Sequence, residues 1–151
     1  MKIVAPKQLT VDFIAGLFVL LFLYTALMKL KDVHFFIGSM SHTPLLRPYA
    51  PLLAGLIPGM EIAISVLLII PSSRYWGLLF ATVLISIFIL YVAYILSSMK
   101  ELPCTCGGVI QRMSWKQHLA FNISFFTIGM IGIILNKRII AINRRSRIPA
   151  I

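Results

Sequence analysis

The chain has 151 residues, of which 60% are hydrophobic and only 12% are charged. A soluble domain of this size carries far more charge on its surface, so the composition predicts a membrane protein. The net charge of +10 would suit a nucleic-acid-binding protein, but the lysines and arginines lie at the ends of apolar segments. That placement is typical of membrane proteins, so we expect lipid around the chain and no nucleic-acid partner.

Four apolar segments are long enough to cross a bilayer, which takes about 20 helical residues. Backbone groups in lipid must be satisfied within their own segment, so each segment is predicted to be a helix. The predicted fold is therefore all-α, a four-helix transmembrane bundle that forms one domain over residues 1–151. The predicted helices cover about 11–30, 52–70, 76–97 and 117–135, and a basic cytoplasmic tail follows at 136–151.

The first predicted helix follows two lysines, as the apolar part of a secretory signal does. The residues at its end, Tyr24–Lys29, offer no small-x-small cleavage site, so we interpret it as a retained helix. The next apolar stretch, 33–40, is too short to span and is predicted to lie at the membrane surface.

The second predicted helix carries one charged residue, Glu61, near its middle. An acid at this depth is costly, so it is expected to be paired or to have a function. Lys29, which ends the first helix, is the nearest cation in the predicted bundle. A buried hydrogen bond to a hydroxyl or amide of a neighbouring helix is the alternative. We predict that Lys29 and Glu61 organise the bundle.

The loop between the third and fourth helices contains the only two cysteines, Cys104 and Cys106, in the segment Pro103–Gly108. A disulfide across one residue closes a very small ring, which is strained and easily reduced. A static bridge stabilises most by closing a long loop, and this ring is among the shortest. The pair is therefore predicted to be redox-active, with a static bridge or two idle thiols as the alternatives.

Near its start the fourth predicted helix carries His118 and Asn122, four residues apart and thus on one face. His118 could exchange a proton with a cysteine and raise its thiolate fraction, or it could be a histidine at the membrane surface. Asn122 is expected to make an interhelical hydrogen bond. A zinc site would need the cysteines together with scattered histidines, His34, His42 or His118. The cysteine spacing is unlike that of zinc sites, so we predict no metal.

The basic residues predict the orientation of the bundle. Eight of them would lie on the side of the two termini and six on the other, which favours cytoplasmic termini by the positive-inside rule. The cysteine loop would then face the periplasm from a bacterial inner membrane, where disulfides form and persist. The first group comprises Lys2, Lys7, Arg74, Lys137, Arg138, Arg144, Arg145 and Arg147, and the second comprises Lys29, Lys31, Arg47, Lys100, Arg112 and Lys116.

Several motifs in these segments resemble those of the MauE/DoxX-like family of redox-associated bacterial membrane proteins, in the form common in Bacteroidetes. The resemblance covers about residues 11–135 and departs mildly at Thr105, where the family often has serine. The motifs are Tyr24–Leu30, Ile57–Glu61, Pro103–Gly108, Trp115–Leu119 and Phe121-Asn122.

The resemblance implies redox chemistry outside the membrane. MauE is associated with the maturation of methylamine dehydrogenase, in which many disulfides must form, and DoxX-like proteins are linked to quinone-dependent oxidation and redox homeostasis. The four-helix topology is similar to that of vitamin K epoxide reductase-type disulfide generators. This chain lacks the Cys-x-x-Cys that such enzymes place near their quinone. No cofactor is evident from the sequence, and the resemblance leaves a quinone as a possible cofactor.

We therefore expect a membrane thiol–disulfide exchange protein, a candidate oxidoreductase that acts through Cys104 and Cys106. Its expected partner is a periplasmic thioredoxin-like or disulfide-containing protein. A larger envelope complex is the alternative partner. His118 would assist protonation, while Lys29, Glu61 and Asn122 would organise the bundle. The first alternative is a non-catalytic subunit that anchors or assembles an envelope complex. The second alternative is a small transporter that uses Glu61.

Overall fold

The fold is taken from a computed structural model, which describes residues 4–98 and 114–145. Within these ranges the chain forms helices joined by short turns, which confirms the predicted all-α class. The elements are α1 (Val4–Lys31), α2 (Val33–Ser41), a short 3-10 helix (Arg47–Tyr49), α3 (Ala50–Ile69), α4 (Arg74–Ser98) and α5 (Trp115–Arg145).

Four of these helices, α1, α3, α4 and α5, are long and apolar enough to cross a membrane. They correspond to the four helices predicted from the sequence, but α5 continues ten residues beyond its predicted end at 135. The first part of the predicted tail is therefore helical. Residues 136–145 contain no glycine or proline, and Ile139 is buried in the core, so nothing in this segment ends the helix.

The short apolar segment predicted after the first helix is α2. It begins at Asp32, whose carboxylate accepts a hydrogen bond from the backbone N–H of Phe35 at 3.3 Å. With nine residues α2 is too short to span, and it packs on the start of α3. The contact buries Phe36 and Met40 against Ala50 and Ala54.

The spanning helices form a bundle in which α1 lies beside α3 and α5, and α4 lies beside the same two helices. Successive spanning helices run in opposite directions, so the bundle has two distinct ends. We call the end where α1 and α4 finish and α3 and α5 begin the loop end. The opposite end, where α1 and α4 begin, is the terminal end.

The middle of the bundle and its terminal half are filled by apolar side chains. The ring of Phe18 meets that of Phe125 edge to face at 5.5 Å between centroids, which joins α1 to α5. At Gly129 a Cβ atom would run into Thr82 and would lie 3.1 Å from Phe18. The missing side chain therefore allows α5 to approach α4 closely. The buried members are Val11, Ile14, Ala15, Phe18, Phe22, Ile64, Leu68, Leu78, Ala81, Leu84, Ile85 and Ile139.

An ion pair between Asp12 of α1 and Arg74 of α4 closes the terminal end. Arg74 also donates a hydrogen bond to the carbonyl of Leu68 at 3.3 Å, near the end of α3. Ser73 donates to the carbonyl of Leu67 at 2.9 Å within the same turn. Three helices are thus joined at this end by charge and backbone contacts, outside the apolar core.

Candidate functional site

The loop-end half of the bundle contains a buried ion pair. Lys29 of α1 donates a hydrogen bond to Oε1 of Glu61 in α3, and the two residues are only 8% and 1% exposed. Thr25 donates to the same carboxylate oxygen at 3.1 Å. The Lys29 ammonium also lies over two aromatic rings, 5.7 Å from the centroid of Phe36 and 5.5 Å from that of Phe88. Charge and ring contacts together compensate for burying the cation.

The first turns of α5 supply the other polar residues of this half. The helix start is fixed by a capping box, in which the backbone N–H of Gln117 donates to Ser114 Oγ at 3.3 Å and that of Ser114 donates to Gln117 Oε1 at 2.9 Å. This start places His118 and Asn122 on the face that looks into the bundle. His118 is half-buried beside Trp115, and Asn122 is buried.

Three buried polar atoms near the ion pair have no hydrogen-bond partner among the described residues. They are Oε2 of Glu61, Nδ1 of His118 and Nδ2 of Asn122. Leaving a buried polar atom unpaired costs about 1–3 kcal/mol. Three such atoms, one on α3 and two on α5, therefore lower the stability of the bundle at this place, which is typical of functional sites.

All of these residues line one cavity of about 80 Å³. It reaches from Glu61, eleven residues into α3, to Trp115, the first residue of α5. Most of its wall is apolar and aromatic. These wall residues are Leu21, Phe22, Phe36, Met40, Ile85, Phe88, Val92, Trp115 and Phe121. A mostly apolar cavity with a few convergent polar groups is the usual form of a ligand or reaction site.

A second polar contact holds the cavity wall in place. The hydroxyl of Tyr91 in α4 lies 3.3 Å from that of Thr43, which is fully buried in the turn after α2. This contact ties the α2–α3 connection to the end of α4. Both helices that flank the cysteine loop, α4 and α5, therefore contribute to the cavity at the loop end.

The structure brings together four of the six residues predicted as site residues. Lys29, Glu61, His118 and Asn122 all line the cavity, and the pairing of Lys29 with Glu61 is present. Their chemical roles stay predictions. The interhelical hydrogen bond expected of Asn122 is not made by its Nδ2 to any described residue. His34 and His42 are exposed, and no three metal-binding side chains gather among the described residues.

The two cysteines predicted to be site residues lie outside the described residues. The loop that contains Cys104 and Cys106 occupies residues 99–113, between the end of α4 and the capping box of α5. Its flanking residues, Ser98 and Ser114, both belong to the loop end of the bundle. Cys106 precedes His118 by twelve residues along the chain.

Sequence reasoning missed the residues that complete the site. The Ser-x-x-Gln pattern at 114–117 was readable as a capping box and would have located the first turn of α5. Thr25, Phe88 and Tyr91 gave no comparable signal. Their helices are apolar on all sides, so periodicity does not show which face points inward.

Chemically, the cavity can bind and move protons. It combines a carboxylate, an imidazole and an amide with unpaired atoms next to a fixed ammonium group. Imidazole is the side chain suited to exchanging protons near neutral pH. The site faces the end of the bundle at which the cysteine loop begins and ends.

The sequence comparisons place the chain in a family. The family model described as methylamine utilisation protein MauE matches residues 7–135, which include all four spanning helices up to the middle of α5 and the loop with both cysteines. No curated protein and no solved structure matches the chain. The match covers most of the 151 residues. With this match and its four apolar helices, the chain belongs to the MauE family of membrane proteins.

Proposed function

We propose that this MauE-family membrane protein exchanges disulfides with partner proteins through Cys104 and Cys106. One observation carries the proposal: the unpaired polar atoms of His118, Asn122 and Glu61 surround a cavity at the end of the bundle where the cysteine loop is attached. Thiol–disulfide exchange needs a thiolate to attack and a proton for the thiolate that leaves. A proton-exchanging cavity beside a thiol pair supplies the second requirement.

The reaction balances without a further reactant. A thiolate of the reduced partner attacks the Cys104–Cys106 disulfide, and the S–S bond breaks as a mixed disulfide forms. The released cysteine takes a proton, which His118 donates. The second partner thiol gives its proton back to His118 and attacks the mixed disulfide, which releases the other cysteine. In sum, the partner loses two electrons and one proton, and the cysteine pair gains both and ends as one thiol and one thiolate.

The proposed setting is a bacterial inner membrane, with both termini cytoplasmic and the loop end in the periplasm. The basic residues support this orientation, since the larger group lies on the side of the termini. The proposed partner is a periplasmic thioredoxin-like or disulfide-containing protein, because thiols in the cytosol are kept reduced.

A quinone could serve as the final electron acceptor, and the unpaired donors of the cavity suit a quinone oxygen. The volume of the cavity suits a quinone ring less well. An engineered cavity that encloses benzene has a volume of about 150 Å³, about twice the 80 Å³ found here. A quinone ring would therefore lie partly outside the cavity, and no step is assigned to it.

The proposal is tested by trapping the mixed disulfide. Cys104→Ser and Cys106→Ser are made separately, and membranes from normally grown cells are run on non-reducing gels. One single variant should accumulate an adduct with an envelope protein that disappears on reduction, because the resolving cysteine is missing. The double variant is the matched control and should show no adduct.

If neither single variant traps a partner and both support growth like the parent, exchange is the wrong function. The protein would then be a non-catalytic subunit of an envelope complex, which should stay assembled without the cysteines. A transporter would instead keep its activity without the cysteines and lose it with Glu61.

A further inference from the structure

We infer that the loop-end cavity holds a small cluster of water molecules, and that this water exchanges protons between the Lys29–Glu61 pair and the loop end only. The inference goes beyond the proposed disulfide exchange, because the water site needs neither cysteine. It rests on three observations: the unpaired buried atoms, the size of the cavity, and the apolar layer that separates it from the terminal end.

The unpaired atoms match the bonding capacity of bound water. Glu61 is 1% exposed and Asn122 is 7% exposed, yet Oε2 of the first and Nδ2 of the second have no partner among the described residues. Nδ1 of His118 is unpaired as well. A buried water typically makes about three hydrogen bonds to polar groups that would otherwise be unsatisfied. One or two waters between these atoms would satisfy all three.

The cavity has room for bound water. Its volume of about 80 Å³ is several times the roughly 10–15 Å³ that a single water needs. An apolar molecule in the same space would leave all three polar atoms unpaired. Buried apolar cavities stay dry because their walls offer water no partners, whereas this wall includes an ion pair.

The polar groups that share the cavity with Glu61 come from three other helices. Lys29 and Thr25 line it from α1, His118 and Asn122 from α5, and Tyr91 from α4. The part of α2 that lines the cavity adds no titratable group. Its serine hydroxyl, that of Ser39, donates to a backbone carbonyl of its own helix. Among the cavity residues, His118 carries an imidazole close to the start of α5, so a proton that leaves Glu61 through water toward the loop end passes it.

Between the cavity and the terminal end, the described residues offer a proton no path. The layer beneath Phe22 and Ile85 is the apolar core, and its described buried hydroxyls are already used within their own helices. Ser65 donates to the carbonyl of Glu61, and Thr82 donates to that of Leu78, both at 2.8 Å. The water cluster is therefore open toward one end of the bundle and closed toward the other.

The test uses buried cysteine reporters in the full chain with Cys104→Ser and Cys106→Ser, so that failure of the exchange function cannot affect it. Val92→Cys places a thiol in the cavity wall, and Ala81→Cys places one in the core of the same helix, with both positions at most 1% exposed. A small membrane-permeant thiosulfonate, methyl methanethiosulfonate, reacts only with a thiolate, which needs water beside it. The Val92→Cys reporter should react at least tenfold faster. Equal slow rates would overturn the water site.

The closed end is tested in sealed vesicles of known protein orientation. Raising the pH on the loop side should speed the modification of Val92→Cys by about tenfold per unit, because the thiolate fraction rises by that factor below its titration range. Raising the pH on the terminal side should leave the rate unchanged. A rate that follows the terminal side, or neither side, would overturn proton exchange through the loop end.

A measurement on the unaltered chain covers the case in which the Val92→Cys variant fails to fold. Hydroxyl radicals generated by an X-ray pulse from bound water should oxidise Phe36, which lines the cavity and is 3% exposed, several times faster than Phe18, which lies in the dry core and is 0% exposed. Equal protection of the two phenylalanines would show that the cavity is dry.

Discussion

At the scale of single residues, the buried pair of Lys29 and Glu61 decides how the loop-end half is held together. A buried ion pair gains little over an apolar pair of similar volume, because desolvation offsets most of the attraction between the charges. Removing one partner is different, since it leaves the other charge buried alone. In this bundle the cation also rests on two rings, and the carboxylate accepts a second hydrogen bond from Thr25.

Lys29→Met should therefore destabilise the protein strongly, by about 3–5 kcal/mol, because Glu61 stays buried without its cation. The free energy of unfolding in detergent measures the effect. Lys31→Met is the matched control, since Lys31 is exposed two residues further along the same helix. Equal stability of the two variants would mean that the pair contributes nothing to the fold.

Glu61→Gln should cost less stability than Glu61→Leu. Glutamine keeps an oxygen for Lys29 and Thr25, whereas leucine leaves the Lys29 ammonium buried without its partner, at a cost of about 3–5 kcal/mol. Thr25 would keep its hydrogen bond of 3.2 Å to the carbonyl of Phe22. Thermal unfolding of the two variants in detergent compares them directly. If Gln abolishes activity at unchanged stability, the charge or the proton of Glu61 has a functional role, and the transporter alternative gains support.

At the scale of the elements, the position of α5 is set by close packing as well as by its capping box. The helix passes α4 and α1 at Gly129, where the hydrogen of the glycine faces Thr82 and Phe18. The contact keeps α5 close enough for His118 and Asn122 to reach the cavity. Glycine costs helix stability at this position because it adds flexibility to the unfolded chain, and the close approach offsets that cost.

Gly129→Ala should destabilise the bundle by about 1–3 kcal/mol, because the added methyl group overpacks the contact with Thr82 and Phe18. Thermal unfolding in detergent measures the loss. Gly16→Ala in α1 is the control, since no atom lies within 4 Å of its added Cβ, and it should be neutral or slightly stabilising. A neutral Gly129→Ala would show that α5 lies further from α4 than described.

The sequence predicted the positions of the helices better than it predicted which side chains of each helix point into the bundle. Four spanning helices follow from apolar length alone, because lipid leaves the backbone no other way to satisfy its hydrogen bonds. Glu61 and Lys29 stood out because charges are rare at that depth. The aromatic wall could not be predicted. Phe36 and Phe88 are two of ten phenylalanines in the chain, and nothing in an all-apolar helix separates those that face a cavity from those that face lipid.

At the scale of the whole molecule, the two ends of the bundle differ in kind. The loop end contains a cavity with buried charge and unpaired polar atoms. The terminal end is closed by Asp12 and Arg74 over an apolar core. Among the described residues, the buried polar atoms without a partner thus lie at one end only. The compartment that the loop end faces therefore determines which partner proteins can reach the cavity and the cysteine loop.

The loop end should face the periplasm. In intact cells, after mild reduction, a maleimide that passes the outer membrane but cannot cross the inner membrane should label Cys104 and Cys106, because the basic residues favour cytoplasmic termini. The double serine variant controls for labelling of other proteins. Labelling that occurs only after the inner membrane is opened would reverse the orientation.

The apolar layer between Glu61 and the terminal end also determines where the membrane voltage acts. Voltage drops across the dry part of a bilayer, so water in the cavity would carry the potential of the loop side inward to Glu61. The whole difference would then fall across the layer around Phe18 and Leu78. A unit charge that crosses the full drop gains about 2.3 kcal/mol per 100 mV. A proton that moves between Glu61 and the loop end would cross almost none of it. The protein would therefore exchange protons with that compartment at the same rate in energised and de-energised membranes.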